Sequence, residues 1–526
     1  AGETGDNTGD AARVCRAPSV DVAGRLLAYV VDEAEVWCVD LDAVTAAASD
    51  AARGAGTEAH DATIADARRR LDDGRHEFCF DPFVAPDGAT VSWQAWSPPD
   101  MPWDGSARLD ADIATGELTE QRHPDAAVQQ PRFTVTGAAV QVDDRRGWLN
   151  VSDRTGPVVA ESSDHAGPVW GMGARSYAFG PGGRRVAFAR NESGFGSLVV
   201  RDLERGAERV FGRGVHGHLD WVGDTIVAVR TGARTPTSVV AYDAASGDRT
   251  TLATSAADTW PLGDLPEPET VQAVAADGTT LYARRFAADC AAARTGRMLV
   301  WVHGGPTDQW QVDWRPRITY WWSRRWDVLV VDPRGTTGHG RTYQQALHGR
   351  WGRLDVDDTA DLIRHAHASG WSTPTSTVVI GGSSGGLTVL GVLADHADVV
   401  AGGVASYPVS DLRALTDVTY RFEAHYTDTM VMPDDGSSAS LARFRELSPL
   451  HRADRIRSPL LVFHGTEDPV VPIDQSRTLI ERILAERPDA DVELVEYDGE
   501  GHGFRDPATV VDEYGRTEAF LERVAG

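Results

Sequence analysis

The pattern of hydrophobic and polar positions divides this chain into two halves. From about residue 12 to residue 255, short runs rich in β-branched and aromatic residues alternate with turns that contain Gly, Asp and Pro. This pattern is typical of antiparallel strands joined by tight turns. The clearest predicted strand regions are 25–41, 89–97, 175–190, 197–203, 224–231 and 237–252.

A strand–turn–strand unit recurs loosely in this first half. Its period of about 40–45 residues is the span of one four-stranded propeller blade, so the half has room for about five or six blades. A β-sandwich, or two small β domains, is the alternative. The Ala-rich, charged segment 44–73 lacks apolar periodicity and is predicted to be a surface insertion, partly helical or mobile.

The pattern changes after residues 253–268, a Pro- and Asp-rich stretch that we interpret as a linker. Continuous apolar runs then alternate with amphipathic segments, which predicts a mostly parallel, doubly wound sheet covered by helices on both faces. We therefore predict an all-β, propeller-like domain over 1–262 and an α/β domain over 263–526. The predicted strands are 298–305, 326–335, 376–382, 401–408, 458–468 and 491–499, and the predicted helices are 357–370, 385–396 and 474–487.

The charge and the hydrophobic content of the chain indicate which kinds of partner it can bind. The formal net charge of −27 disfavours a phosphate backbone, so no nucleic-acid partner is expected. The sequence has no apolar run of about 18 residues, so no membrane span is predicted. Its first ten residues lack the features of a signal peptide, and a cytoplasmic location is the expectation. The composition is compatible with a homo-oligomer.

The four cysteines indicate neither a metal site nor a disulfide framework. Cys15, Cys38, Cys79 and Cys290 are widely scattered, and none forms a CxxC pair or lies near a His cluster. A Cys15–Cys38 pair requires that their strands adjoin. We expect no metal and no cofactor.

Residues 377–390 carry the first candidate chemistry. TVVIGGSSGGLTVL predicts a strand, a glycine-rich turn and a helix, and it contains the G-x-S-x-G nucleophile elbow. Two registers fit, with Ser383 or Ser384 as the nucleophile. Because the strand reaches Gly381, Ser383 falls at the sharp reversal and is favoured. The backbone N–H of Ser384 would then be an oxyanion donor.

Candidate partners follow in the order Ser, acid, His that α/β-hydrolases use. Asp468 follows one predicted strand, and His502 follows the next, flanked by glycines. Glu467 is the alternative acid. The HGG run that ends at Gly305 follows an early strand, where hydrolases place a second oxyanion donor.

Together these motifs resemble the prolyl oligopeptidase family, in particular its acylaminoacyl-peptidase and dipeptidyl-aminopeptidase-like branch. The resemblance implies an α/β-hydrolase domain with a Ser383–Asp468–His502 triad, oxyanion donors at Gly305 and Ser384, and no cofactor. It also implies a short peptide or peptidyl small-molecule substrate, because a propeller over the site excludes folded chains. The motifs that carry it are HGGP (303–306), DPRGTTGHGR (332–341), WGRLDVDD (351–358), GGSSGG (381–386), HGTEDPVVP (464–472) and GEGHGF (499–504).

The segment after 401–408 builds the substrate pocket in that family. We therefore expect Glu423 to anchor a substrate amine, with a structural Glu as the alternative. Tyr407, Tyr420 and Phe422 are expected to line the pocket, with packing in an aromatic core as the alternative. Where some relatives hold an arginine near the triad acid, this chain has Val470. The Trp-rich run after HGGP is interpreted as core and interface packing.

The sequence thus predicts a serine peptidase that hydrolyses short peptides, or aminoacyl or acyl-aminoacyl amides, through an acyl-enzyme. An esterase or a biosynthetic amide hydrolase is the alternative, and a non-catalytic propeller scaffold is a third.

Overall fold

The computed structural model describes residues 13–52, 66–255, 265–288, 296–416 and 419–526. Antiparallel strands joined by tight turns make up the N-terminal half. They are β1 (Cys15–Val20), β2 (Leu26–Val31), β3 (Glu35–Asp40), β4 (Arg68–Arg70), β5 (Phe78–Val84), β6 (Thr90–Trp96), β7 (Ala107–Asp112), β8 (Leu118–Arg122), β9 (Val128–Phe133), β10 (Ala139–Asp143), β11 (Asn150–Asp153), β12 (Tyr177–Phe179), β13 (Arg185–Glu192), β14 (Phe195–Asp202), β15 (Glu208–Arg213), β16 (Val215–Val222), β17 (Thr225–Gly232), β18 (Thr235–Asp243) and β19 (Arg249–Thr254).

These strands form successive small sheets. Within the described residues there are five, namely β1–β4, β5–β8, β9–β11, β12–β15 and β16–β19, and strands that follow one another along the chain are neighbours in space. Antiparallel meanders repeated in this way are the blades of a β-propeller. The propeller-like N-terminal half is therefore confirmed, and the five sheets agree with the predicted five or six blades.

Burial explains why these sheets stack. In β18 buried positions alternate with more exposed ones, as the two-residue period of a strand requires. The buried faces of successive sheets meet in shared cores: Val30 lies in one cluster with Trp93, and Val142 lies in another with Phe188. Each blade therefore buries its apolar face against the next.

The Ala-rich insertion is partly helical, as predicted. Helix α1 (Leu41–Ala52) covers its beginning and β4 lies near its end. Residues 53–65 lie outside the described residues.

The C-terminal half contains one eight-stranded sheet with helices on both faces. Its strands are β20 (Glu269–Val274), β21 (Thr280–Phe286), β22 (Met298–Val302), β23 (Asp327–Asp332), β24 (Thr377–Gly382), β25 (Gly402–Ser406), β26 (Leu460–Gly465) and β27 (Val492–Tyr497). Its helices are α2 (Pro316–Ser323), α3 (Arg341–Gln345), α4 (Leu354–Ala368), α5 (Ser384–Asp395), α6 (Leu412–Thr416), α7 (Tyr426–Met430), α8 (Ser438–Leu447), α9 (Asp474–Glu486) and α10 (Pro507–Ala525), with 3-10 turns at Pro374–Ser376, Ala397–Val399, Arg421–Glu423 and Pro449–Arg455.

The strand order across this sheet is β20-β21-β23-β22-β24-β25-β26-β27. β22 to β27 run parallel, while β20 and β21 are antiparallel to their neighbours. Every residue of β22, β23 and β26 is buried, because helices cover both faces. One buried cluster lies toward α4, α5 and α9, and the other toward α2 and α10. The predicted doubly wound α/β-hydrolase domain is confirmed.

An aromatic cluster joins the two halves. Phe78 and Trp96 of the propeller are stacked, with ring centroids 5.1 Å apart. The ring of Phe422, from the hydrolase domain, meets their edges at 5.9 and 6.0 Å. We call this group, which also contains Phe80, Trp103, Trp170 and Tyr426, the interdomain cluster.

Buried polar contacts also cross between the halves. The carboxylate of Asp164 accepts hydrogen bonds from the N–H of Leu149, at 2.7 Å, and from the N–H of Gly338 in the hydrolase domain, at 3.1 Å. The side-chain amide of Asn191 donates to the Gln309 oxygen at 2.7 Å. The propeller is therefore bound to the hydrolase domain by both apolar and polar groups.

Some expectations fall on segments that are not described. The predicted boundary at 262/263 lies within residues 256–264, and Cys290 lies within 289–295, so neither is described. Cys15 and Cys38 are free thiols, and no disulfide joins them. In the described part of the chain, no helix has the length and apolar character to span a membrane.

Candidate active site

Ser383 lies at the reversal between β24 and α5. Its backbone has φ +57° and ψ −125°, a conformation that a residue with a side chain rarely adopts. The turn is possible because its flanking residues are small. A Cβ on Gly381 would lie 2.6 Å from the carbonyl oxygen of Gly385, and a Cβ on Gly385 would collide with the Val302 carbonyl oxygen. The glycines therefore permit a strained turn that holds Ser383 at the end of the strand.

The two serines of the elbow have different surroundings. The hydroxyl of Ser384 is buried and accepts a hydrogen bond from the Trp351 indole at 3.0 Å. Ser383 lines an open cavity of about 370 Å³, and within the described residues its hydroxyl makes no hydrogen bond. Of the two hydroxyls, the one on Ser383 is the better placed to meet a substrate.

Asp468 and His502 form a direct pair. Nδ1 of His502 donates to Oδ2 of Asp468 at 2.7 Å, and the other carboxylate oxygen accepts from the N–H groups of Val470 and Val471, both at 2.9 Å. Asp468 is buried, whereas its neighbour Glu467 is exposed. The carboxylate of Asp468 thus has a fixed orientation toward the imidazole, and Glu467 has no such contact.

His502 and Ser383 line the same cavity. The HGG loop lies on its edge, since a Cβ on Gly304 would be 3.5 Å from Cβ of Ser383. Gly305 also lines the cavity and has φ +122°, a conformation that glycine permits. A serine on a strained elbow and an Asp–His pair are the components of nucleophilic acyl transfer.

The cavity contains three of the four residues predicted to contact substrate. Tyr407, Tyr420 and Glu423 line it. Phe422 does not; its ring is buried in the interdomain cluster, because the turn Arg421–Glu423 directs it toward the propeller. The prediction of a pocket-lining role for Phe422 is corrected accordingly, and the alternative of aromatic core packing holds.

Glu423 lies where two cavities meet. It lines the large cavity and also a small enclosed one of about 20 Å³, which is lined as well by Leu415, Thr419 and Val471. Burial raises the pKa of its carboxyl, while a charge on nearby His502 opposes that rise. Val470, which stands where some relatives have an arginine near the triad acid, lines both cavities.

The propeller clamps the turn that carries Glu423. The guanidinium of Arg421 donates to the backbone oxygens of Asp32, at 3.0 Å, and Glu77, at 2.5 Å. It also lies over the ring of Phe78, 4.4 Å from its centroid. The adjacent Phe422 is packed in the interdomain cluster, so residues of both halves set the position of Glu423.

Several cavity residues were not predicted. Arg317 of α2 and Glu513 of α10 form an ion pair, with Nη2 and Oε2 3.6 Å apart. Burial raises the pKa of Glu513, and that of Asp308 beside the HGG loop. Hydrophobic patterns do not reveal such a pair, because its partners lie on helices distant in sequence. Trp310 and Trp321, interpreted as packing residues, also line the cavity.

The propeller contributes directly to this site. Trp170 lines the cavity, and its indole N–H donates to the carbonyl oxygen of Thr307 at 2.8 Å. Thr307 follows the HGGP run, so this bond ties the propeller to the loop beside Ser383. In the part of the chain that the structure describes, no cluster of His, Cys, Asp and Glu could hold a metal ion.

Comparisons with known proteins agree with this geometry. Residues 310–526 match the model of the prolyl oligopeptidase family, peptidase S9. The chain is 31% identical over 231 residues to dipeptidyl aminopeptidase BIII of Pseudoxanthomonas mexicana, covering 44% of this chain and 33% of the relative. It is 27% identical over 218 residues to the acylamino-acid-releasing enzyme of Arabidopsis thaliana, covering 40% of this chain and 28% of the relative. The matches thus span about a third of these relatives' length.

The likeness to solved structures extends over both halves. A puromycin-hydrolyzing peptidase of Mycobacterium tuberculosis superimposes with a TM-score of 0.85 and 25% identity. The superposition covers 98% of this chain and 79% of that chain. The arrangement of a propeller over a hydrolase sheet is therefore similar in the two proteins.

Proposed function

We propose that this protein is a serine peptidase that cleaves short peptides and aminoacyl amides, on the premise that residues 310–526 match the model of the prolyl oligopeptidase family. The observation that carries the proposal is the placement of Ser383 on one cavity with His502, which is paired to buried Asp468. The match to peptidases supports the class of reaction.

In the proposed mechanism, Ser383 attacks the carbonyl carbon of the scissile bond. His502 removes the proton from the hydroxyl as the Oγ–C bond forms, and Asp468 stabilises the resulting imidazolium. His502 then gives that proton to the leaving nitrogen as the C–N bond breaks. Water, activated by His502, hydrolyses the acyl-enzyme and restores the serine.

We propose that the backbone N–H groups of Gly305 and Ser384 stabilise the tetrahedral oxyanion. Gly305 lines both cavities beside Ser383, and Ser384 follows the nucleophile directly. Removing one such donor typically costs about 10²–10³ in kcat. Because the side chain of Ser384 is bonded to Trp351, its backbone is held firmly at the start of α5.

The proposed substrates are small. Trp170 of the propeller lines the cavity, so we propose that the propeller limits the size of the substrate on that side. The carboxylate of Glu423 is well placed to bind a free substrate amine beside Ser383, since it lines the small cavity, where its neighbouring donors are the hydroxyls of Thr419, at 3.4 Å, and Tyr420. We therefore propose release of an N-terminal residue with a small side chain.

A two-part experiment tests this function. A fluorophosphonate probe should label the wild type and fail to label Ser383→Ala. A panel of aminoacyl, acyl-aminoacyl and dipeptidyl anilides, together with puromycin, should then reveal preferential cleavage of substrates with a free α-amine. Absence of labelling would refute the catalytic proposal, and faster cleavage of acylated substrates would refute the role of Glu423.

A further inference from the structure

The large cavity extends beyond Ser383 into a region lined with aromatic rings. Trp301 and Trp310 are paired there with centroids 5.4 Å apart, and Trp321 is stacked on Tyr514 at 5.7 Å with planes inclined by 7°. Tyr407 lines the same cavity, and its ring is 4.6 Å from that of His502. All five aromatic residues line the cavity, and we call them the aromatic pocket.

His502 shows which part of a substrate this pocket faces. It lines the large cavity but is absent from the lining of the small cavity that contains Leu415 and Thr419. In the proposed reaction the imidazole delivers its proton to the leaving nitrogen. The leaving group must therefore lie on the side of His502, and the acyl residue on the side of the small cavity.

A buried carboxylate adds polarity to this pocket. Glu513 is 7% exposed and lines the cavity. Its Oε1 accepts from the Ser406 hydroxyl at 3.3 Å, whereas its Oε2 has no hydrogen-bond partner among the described residues and lies 3.6 Å from Arg317. A buried acceptor without a donor is costly, so a ligand that supplies a donor there gains binding energy.

The charge of the pocket favours a neutral ligand. The guanidinium of Arg317 already faces Glu513 and offsets the negative charge of its carboxylate. A leaving group with a free carboxylate would compete with Glu513 for Arg317. A neutral group with an O–H or N–H would bond to Glu513 without disturbing that pair.

We propose that the aromatic pocket is the leaving-group subsite and that it selects planar aromatic leaving groups that carry a hydrogen-bond donor. This inference rests on the proposed peptidase function and specifies the substrate half released first. Offset and edge-on contacts with the paired rings favour a planar group over an aliphatic one of similar size. Glu513 provides the acceptor for the donor.

The test uses dipeptide amides that share one acyl residue, the one cleaved fastest in the panel. The leaving residue is phenylalanine, tyrosine or cyclohexylalanine, so that ring planarity and the phenolic donor vary separately while the amine remains similar. For the wild type we expect kcat/KM to rise from cyclohexylalanine to phenylalanine and again to tyrosine.

Two variants examine the two features of the pocket. Trp310→Leu should lower the phenylalanine-to-cyclohexylalanine ratio of kcat/KM about 3- to 10-fold, the effect of losing one aromatic pair. Its control is Trp322→Leu, a nearby half-buried indole that bonds to Ala287 and does not line the cavity. Glu513→Gln should reduce the preference for tyrosine over phenylalanine. Its control is Glu518→Gln, also on α10 but paired to Arg324.

The outcomes separate this inference from the function on which it rests. If the wild type shows no fluorophosphonate labelling and cleaves none of the amides, both proposals fail. If it labels and cleaves but treats the three leaving residues alike, the subsite alone is refuted. Equal losses for all three substrates in Trp310→Leu, with the tyrosine preference intact in Glu513→Gln, would also refute the subsite.

Discussion

The indole N–H of Trp351 donates a hydrogen bond to the hydroxyl of Ser384 at 3.0 Å, and both residues are buried. This bond holds the hydroxyl of Ser384, the second serine of the elbow, in the core, whereas Ser383 lines the cavity. The two serines of the Gly–Gly–Ser–Ser–Gly–Gly run therefore differ in position: Ser383 lines the cavity and Ser384 faces the core.

The elbow predicts a clear difference between two variants. Ser383→Ala should abolish fluorophosphonate labelling and lower kcat by several orders of magnitude, because Ser384, the other hydroxyl of the elbow, is buried and bonded to Trp351. Ser384→Ala should retain labelling and lose some stability, about 1 kcal/mol for the hydrogen bond. Loss of labelling in Ser384→Ala with retention in Ser383→Ala would move the nucleophile by one residue.

The pairing of Asp468 with His502 predicts the effect of neutralising the acid. Asp468→Asn should lower kcat about 10⁴-fold, because the amide no longer holds the imidazole in the required tautomer. Single-turnover kinetics with an anilide substrate measures this directly. Glu467→Gln is the matched control and should stay near wild type, since Glu467 is exposed. A similar loss in both variants would contradict the assignment.

Glu423 predicts a pH dependence that differs between substrates. Burial raises the pKa of its carboxyl above the ordinary value of 4.5. As the pH falls, Glu423 therefore takes up a proton earlier than an exposed glutamate and loses the negative charge that we propose binds the substrate amine. KM for free-amine substrates should rise on the acid side, while KM for their N-acetylated counterparts should change little.

Glu423→Gln provides the control for this profile. The variant should raise KM for free-amine substrates at neutral pH and remove the acid-side rise specific to them. An identical acid-side rise in wild type and variant would show that another group binds the amine.

The packing of Phe422 in the interdomain cluster predicts that its ring contributes measurably to the stability of the protein. Phe422→Ala should lower the free energy of unfolding by about 3–5 kcal/mol, because it opens a cavity among the rings of the interdomain cluster. Urea unfolding followed by tryptophan fluorescence is suitable, since Trp96, Trp103 and Trp170 lie in that cluster. Val511→Ala, at a 73% exposed position, should have an effect within about 0.5 kcal/mol.

Asp164 predicts a pH effect on stability. Burial, with a smaller contribution from the charge of Asp144, raises the pKa of Asp164 from 3.8 to about 7. The folded state thus binds this proton more tightly than the unfolded state. Its contribution to stability is complete below pH 3.8 and is lost as the pH rises through about 7, at about 1.4 kcal/mol per unit of pKa difference.

Asp164→Asn removes that titration. The free energy of unfolding of the variant relative to wild type should therefore improve as the pH rises from about 4 to 7, measured by denaturant titration at several pH values. A difference that stays constant across this interval would show that Asp164 has an ordinary pKa.

The site residues that could be predicted from the sequence are those at the ends of strands. Ser383, Asp468 and His502 each follow a predicted strand of one parallel sheet, and the carboxyl ends of such strands meet at one edge. Their proximity therefore follows from the hydrophobic pattern and the motif order. The propeller half was recognisable for a similar reason, since its short strands and turns recur.

Contacts between elements that are distant in the sequence could not be predicted from it. Nothing near Phe422 in the sequence indicates that Phe78 and Trp96 will surround it, so its ring was assigned to the pocket. The approach of Arg317 to Glu513 depends on how α2 and α10 pack on one face of the sheet. Such juxtapositions depend on tertiary packing and not on local periodicity.

The turn Arg421–Glu423 links the evolution of the two halves of the chain. The guanidinium of Arg421 and the ring of Phe422 are held by the propeller, while Glu423 lines the cavity beside Ser383. A change at Phe78 or Trp96 that shifts Phe422 would also move Glu423, although neither Phe78 nor Trp96 lines the cavity. Under the proposed role of Glu423, the two halves of the gene therefore cannot vary independently, because a substitution in the first half would change the substrate preference set by the second.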